Sequence, residues 1–292
     1  MKIIPGISSQ VLATRIAAEL DCKATLCEYK RFPDGELYTR IIDDIRDEEV
    51  VIVQSVNSDS DLIYLLQLID AAEEASKIEI VIPYLGYARQ DKKFKPGEAI
   101  SARAIARSIS AADLDTIYVV NVHNRNVLQF FEADTKELDV SSLIGDYIAQ
   151  EGIAPVVIIG PDAGATNLTA AVAAPFGFEY DVLEKKRITG AKVEIKPKAL
   201  SVEGKNVVIV DDIISTGGTI AEAASLLKAQ NADAIYVACI HGVFVQNAVL
   251  RMLNAGVRAV ITTDTIESVF SKVSIAKMLA GVLKTSTKTR TE

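Results

Sequence analysis

The sequence predicts an α/β fold built on mainly parallel sheets flanked by helices, and two observations carry that expectation. Short β-branched runs at Val50–Val53, Ile78–Ile82, Thr116–Val120, Val156–Ile159, Val207–Val210, Ile235–Val237 and Ala259–Ile261 have no polar alternation, as in strands covered on both faces. Amphipathic stretches such as Leu62–Ala75, Ala102–Ser110 and Ile220–Ala229 lie between them. A strand–helix–strand rhythm of this kind joins parallel strands. The second observation is internal similarity. EVVIVQSVNSDSDLIYLLQLIDAAEEA, from Glu49, lies over NVVIVDDIISTGGTIAEAASLLKAQNA, from Asn206, without a gap. Either any two βαβ units look this much alike, or a domain has been duplicated. On the second reading the halves are residues 1–140 and 141–292. The helix near Lys272–Leu283 is then a candidate to pack back on the first. The later copy has Asp211 and Asp212 where the earlier has Gln54 and Ser55.

Composition narrows the function. A chain of 292 residues favours about two domains. Its formal charge of −8 argues against a nucleic-acid or acidic-membrane partner. Basic clusters at Lys92–Lys93 and Lys185–Arg187 stand out against that background and suit a small anion. Three cysteines without metal-like spacing read as reduced thiols of a cytoplasmic protein. No signal peptide is evident in MKIIPGISSQ, and no apolar run is long enough to span a bilayer.

The stretch with most chemistry is NVVIVDDIISTGGTI, Asn206–Ile220. Ligands of open α/β sheets bind beyond the carboxyl ends of strands, where Asp211 and Asp212 are expected. Ser215, Thr216, Gly217, Gly218 and Thr219 then offer hydroxyls and backbone amides just before a helix, a setting that holds phosphate. The glycines let the backbone approach closely. Carboxylates do not bind phosphate, but they suit sugar hydroxyls or a hydrated cation, so a sugar phosphate satisfies both parts. Taken alone, the S-T-G-G turn reads equally as a helix cap; the adjacent Asp pair favours the ligand. The loop Gly86–Gly97, GYARQDKKFKPG, is long, polar and basic, and no P-loop motif occurs in the chain. Arg89, Gln90, Asp91, Lys92 and Lys93 supply donors and an acceptor for a nucleotide, or form a solvated charged loop. RFPDGE, Arg31–Glu36, is by itself an ordinary hairpin turn.

VVIVDDIISTGGT resembles the ribose 5-phosphate/PRPP-binding motif of the phosphoribosyltransferase fold. RFPDGE, YARQDKK (Tyr87–Lys93) and LEKKR (Leu183–Arg187) resemble, in order and spacing, segments of the ribose-phosphate pyrophosphokinase family. The resemblance implies two tandem duplicated phosphoribosyltransferase-like domains. It also implies transfer of the β,γ-diphosphoryl group of ATP to the C1 hydroxyl of ribose 5-phosphate, giving PRPP and AMP. Within it, Arg89, Gln90 and Asp91 bind ATP, joined by Phe32, Asp34 and Glu36 from a neighbouring subunit, which implies a homo-oligomer. Asp211, Asp212 and Ser215–Thr219 bind ribose 5-phosphate. Lys185 and Arg187 are the catalytic cations; on charge alone they read as the solvated face of a hairpin. His123 and Asp162 are the implied Mg²⁺ ligands, a hard-cation role that leaves room for waters and ATP oxygens. Many members carry Asp two residues before that histidine, where this chain has Asn121. His241 reads as structural. The alternatives are a phosphoribosyltransferase that consumes PRPP, which has no use for YARQDKK, and a noncatalytic regulatory homologue, which usually loses parts of the site.

Overall fold

The computed structural model describes residues 1–187, 193–197 and 201–288, with side chains for all of these except 185–187, 193–197 and 286–288. The chain divides into two compact units. The first comprises Met1–Asp139, Thr265–Glu267 and the stretch from Ser274 on; the second comprises Val140–Asp264 and Ser268–Val273.

The first unit runs β1 (Lys2–Pro5), α1 (Gln10–Glu19), β2 (Cys27–Arg31), β3 (Leu37–Ile41), β4 (Glu49–Val53), α2 (Asp59–Ala71), β5 (Lys77–Ile82), α3 (Ser101–Ile109), β6 (Thr116–Val120) and β7 (Asp134–Leu138). Among the described residues its main sheet is five-stranded, in the order β1-β4-β5-β6-β7. Every pair in it is parallel. β2 and β3 form a separate antiparallel hairpin. Val50, Val51, Ile52 and Val53 of β4 are all essentially inaccessible to solvent. A strand covered on both faces needs no polar alternation, which is why the sequence shows none. On one face Ile52, Ile80, Ile82, Ile117 and Val119 pack with Leu65, Leu68 and Ile69 of α2 and with Ala106 and Ile109 of α3. Full burial of each such aliphatic side chain contributes about 1.5–3 kcal/mol.

The second unit runs α4 (Ser141–Gln150), β8 (Val156–Gly160), α5 (Thr166–Ala173), β9 (Glu179–Arg187), β10 (Val193–Pro197), β11 (Asn206–Ile214), α6 (Gly218–Ala229), β12 (Ile235–Gly242), α7 (Ala248–Asn254), β13 (Val257–Thr263) and β14 (Ser271–Val273). α8 (Ala276–Lys288) then belongs to the first unit, lying against α1 with Lys284 Nζ donating to the Glu19 carbonyl at 2.7 Å. Among the described residues the sheet order is β10-β9-β8-β11-β12-β13-β14. Only β9–β10 is antiparallel. The run β8-β11-β12-β13-β14 repeats β1-β4-β5-β6-β7, and the β9–β10 hairpin falls where β2–β3 falls in the first unit. The two domains therefore repeat one order of parallel strands, with the hairpin joined to the main sheet in the second and separate in the first.

Several boundaries differ from the sequence expectation, among them the end of α2 at Ala71 and the reach of β12 to Gly242, and two of the differences have a plain cause. α2 begins at Asp59, ahead of its first apolar residue, because Ser58 and Asp61 form a capping box. Apolar periodicity starts only where the helix first meets the core, so it misses a polar first turn. β11 continues to Ile214 instead of ending at Val210, because β12 runs alongside it and pairs Ile213 with His241 and Ile214 with Gly242. His241 is wholly buried on β12.

Candidate functional site

β11 is the central strand of the second sheet, and its last five residues outrun β8. Pairing with β8 stops at Ile209, whereas pairing with β12 continues to Ile214. Asp211 and Asp212 lie on that overhang, half-buried. Each carboxylate folds onto the amide that follows it: Asp211 Oδ1 accepts from Asp212 N at 3.0 Å, and Asp212 Oδ1 from Ile213 N at 2.8 Å. Burial raises the Asp211 carboxyl to about 7, and the charge of Asp212, with a smaller part from Asp162, adds to that rise. Negative charge is crowded here. The same charge, with burial as the larger cause, pushes the Cys239 thiol well above its usual range.

The chain then turns sharply into α6. Gly217 sits at φ +69 in the left-handed region, and a Cβ there would lie 2.9 Å from the Ala248 carbonyl oxygen, so glycine is required on both counts. α6 has no side-chain cap at its N-terminus. The first amides of any helix have no intrahelical acceptor, and with the helix dipole they make a ready anion site. Thr216 and Thr219 are exposed around it and Ser215 half-exposed. The loop is braced from the other side. Phe244 N donates to the Ile214 carbonyl and Val245 N to the Ser215 carbonyl, both at 3.0 Å, while Arg251 Nη1 donates to the Thr216 carbonyl at 2.8 Å. Arg251 reaches this turn from 35 residues away, a link without a local signature.

Asp162 follows β8, the strand beside β11. It is exposed, caps the short helical turn after it, and accepts from Gly164 N through Oδ1 at 2.8 Å. Among the described residues no group of three or more His, Cys, Asp or Glu side chains forms a ready metal cage.

In the first unit the loop between β5 and α3 starts from a close approach. Gly86 N donates to the Val56 carbonyl at 2.9 Å, and a Cβ on Gly86 would meet that oxygen at 2.3 Å. Tyr87, at φ +64, donates its hydroxyl to the Asp59 carboxylate on α2. Glu98 organises the far end, with Oε2 accepting from Phe94 N at 2.7 Å and from Lys95 N at 3.0 Å. Of the three residues of this loop assigned to ATP, Arg89 is exposed. Gln90 turns its amide inward to the Lys92 carbonyl at 3.0 Å, and Asp91 accepts from Asn124 Nδ2 at 2.6 Å. Asn124 is fixed in turn, since its Oδ1 accepts from Asn126 N. A link spanning 33 residues has no signature in a single sequence.

The β2–β3 hairpin carries Phe32, Asp34 and Glu36, all exposed. Gly35 at φ +97 closes its tip, and Arg31 stiffens it by donating to the Gly35 carbonyl and to Ser60 Oγ. His123 is exposed just past β6. Asn121 adopts φ +37, a left-handed conformation that Asn tolerates, and its Nδ2 donates to Asp139 at 2.9 Å. Its amide thus secures the end of β6. Lys185 and Arg187 lie on β9 opposite Ile195 and Val193 of β10, and their side chains fall outside the described residues.

Carboxylates on a strand overhang thus lead into an uncapped glycine turn, an arrangement suited to a ligand with both hydroxyl groups and an anion. Residues 127–270 match the phosphoribosyl transferase domain, and residues 1–112 match the N-terminal domain of ribose phosphate pyrophosphokinase. The ribose-phosphate pyrophosphokinase of Methanosarcina acetivorans is 52% identical over 97% of this chain and 99% of its own. That of Methanosarcina mazei is 50% identical over 97% and 95%, and ribose-phosphate pyrophosphokinase 2 of Archaeoglobus fulgidus 43% over 96% and 99%. Among solved structures, phosphoribosylpyrophosphate synthetase from Mycobacterium smegmatis matches with a TM-score of 0.86 and 29% identity, over 99% of both chains. The chain belongs to the ribose-phosphate pyrophosphokinase family. The family's reaction, ATP and ribose 5-phosphate giving PRPP and AMP, sets this chain apart from transferases that consume PRPP.

Proposed function

We propose that the diphosphoryl transfer of this family is carried out here by the residues the sequence singled out, on Mg²⁺–ATP, in a cytoplasmic homo-oligomer. The amides and hydroxyls of Ser215–Thr219 hold the 5-phosphate, and Asp211 and Asp212 hold the ring hydroxyls. The observation that carries this reading is the α6 N-terminus, left without a cap beside two crowded carboxylates. An anion on the amides and a polyol or cation on the carboxylates relieve both at once. No helix among the described residues is long and apolar enough to cross a membrane.

Arg89, Gln90 and Asp91 hold the nucleotide, and a neighbouring subunit adds Phe32, Asp34 and Glu36. The exposed ring of Phe32, 48% accessible at the tip of a stiffened hairpin, supports that sharing. His123 and Asp162 would hold Mg²⁺, and the crowded oxygen donors near Asp162 suit a hard cation. When bound, the ion neutralises charge on the phosphate oxygens. The C1 oxygen of the sugar then bonds to the β-phosphorus as the bond from that phosphorus to the AMP oxygen breaks. The hydroxyl proton leaves to solvent. Such a transfer needs alignment and charge neutralisation more than a strong base. Lys185 and Arg187 supply cations to the diphosphoryl group in flight.

Steady-state kinetics with each substrate varied tests these roles. Lys185→Ala and Arg187→Ala lower kcat by about 10²–10³ while each KM changes much less, as for groups that act on the transition state. Equal losses in kcat and in binding would remove the two cations from the chemistry. ³¹P spectra of the wild-type mixture show AMP and PRPP appearing together.

A further inference from the structure

The loop Ser215–Gly217 is held by its carbonyls. Those of Ile214, Ser215 and Thr216 accept, in order, from Phe244 N, Val245 N and Arg251 Nη1. All three peptide bonds are trans, since the one cis bond among the described residues is Ala154–Pro155. In a planar trans peptide the C=O and the following N–H point in opposite directions. Fixing three successive carbonyls against the β12–α7 connection and α7 therefore aims three successive amides, of Ser215, Thr216 and Gly217, the other way. Neither the Thr216 nor the Gly217 amide donates to any described residue. Two of the braces are backbone groups. The third, on the peptide that ends at Gly217, is the Arg251 side chain.

That side chain also brings charge. Arg251 Nη1 lies 3.7 Å from where a Cβ on Gly218 would stand, beside the first residue of α6. Asp211, Asp212 and Asp162 make the rest of this neighbourhood electronegative, which is unfavourable for a phosphate dianion. A guanidinium stays charged at any working pH. Arg251 thus combines orientation of an amide with an offset to local negative charge.

We propose that Arg251 is a positioning residue of the sugar-phosphate site, aiming the Gly217 amide through the Thr216 carbonyl and lending its charge to the bound phosphate. The inference rests on reading Ser215–Thr219 as the phosphate-holding turn. The test compares Arg251→Met, Arg251→Lys and Thr219→Val with the wild-type enzyme in steady-state assays, with thermal midpoints measured without substrates. Arg251→Met raises KM for ribose 5-phosphate about tenfold, while KM for ATP and kcat change by no more than about threefold. Arg251→Lys, which keeps the charge and loses the planar fork, falls between. A merely structural role would instead move both KM values together, in step with the thermal midpoint, and would overturn the proposal. If Arg251→Met does not fold, Arg251→Lys decides alone: an unchanged KM for ribose 5-phosphate overturns it. A rise for Thr219→Val without one for the Arg251 variants defeats only the role of Arg251. No rise for any of the three defeats the phosphate-turn reading as well.

Discussion

The turn after β4 and the turn after β11 occupy the same place in two copies of one topology, and they end in opposite chemistry. After β4 the helix N-terminus is occupied from within. Asp61 accepts through Oδ2 from Ser58 N at 2.8 Å and Asn57 N at 3.2 Å, and the Ser58 hydroxyl accepts from Asp61 N. After β11 the corresponding helix has no such cap. The residues before the turn differ in the same sense. Gln54 is fully buried, its Nε2 donating to Ser8 Oγ at 2.8 Å and to the Ser55 carbonyl at 3.0 Å. Gly6 presses so close that a Cβ on it would come within 1.8 Å of Gln54 Oε1. Asp211 and Asp212 are only half-buried. One backbone frame thus holds either an internal carboxylate and a sealed amide, or an uncapped helix N-terminus and two acidic groups. The difference between a structural turn and a binding turn is who satisfies the helix amides.

The sharpest way to test that contrast is to remove the buried charge. Asp211→Asn lowers kcat/KM for ribose 5-phosphate by about 10³, since a hydroxyl acceptor becomes an amide in a tight site. It also stabilises the substrate-free protein above neutral pH. A carboxyl whose folded value is about 7, against an ordinary value near 3.8, binds its proton more tightly folded than unfolded. Its contribution to stability is therefore complete below the ordinary value and declines as pH rises towards 7. The melting-temperature gap between variant and wild type opens between pH 4 and pH 8; a gap independent of pH would sink the assignment of crowded charge.

A smaller effect is expected from the turn itself. Gly217→Ala forces a Cβ onto the Ala248 carbonyl and costs about 1–2 kcal/mol in the left-handed region. KM for ribose 5-phosphate rises about tenfold if that strain is relieved by moving the turn. An unchanged KM would mean the glycine serves packing alone. The least effect on activity belongs to the sealed copy. Ser58→Ala lowers stability by about 1 kcal/mol through loss of the cap and leaves both KM values unchanged. Denaturant unfolding and the standard assay check it together, and a raised KM for ribose 5-phosphate would show that the two turns are less distinct than their geometry indicates.

Much of this contrast was readable in advance at particular residues. The gapless overlay of Glu49 on Asn206 pointed to the repeat, and the topology of the two sheets repeats likewise. Asp211, Asp212 and the glycines were visible because consecutive residues in one turn form a local pattern. The capping box at Ser58 and Asp61 is equally local, but apolar spacing alone sets the helix start one turn late. In the sequence Asn121 is visible only as a departure from the Asp many family members carry; its left-handed backbone and its bond to Asp139 depend on β7 lying beside β6.

From the order of residues alone came the α/β class, the internal similarity, and the donors and carboxylates of the turn proposed to hold a sugar phosphate. Those rest on short-range rules: strand burial, helix spacing and the hydrogen-bonding capacity of adjacent groups. Only folding decided that β11 outruns β8, that Asn124 grips Asp91, and that Arg251 turns a peptide 35 residues away so that its amide faces outward. Each joins groups distant in the chain, and a single sequence records which groups exist but not which of them the packed sheet brings within bonding distance.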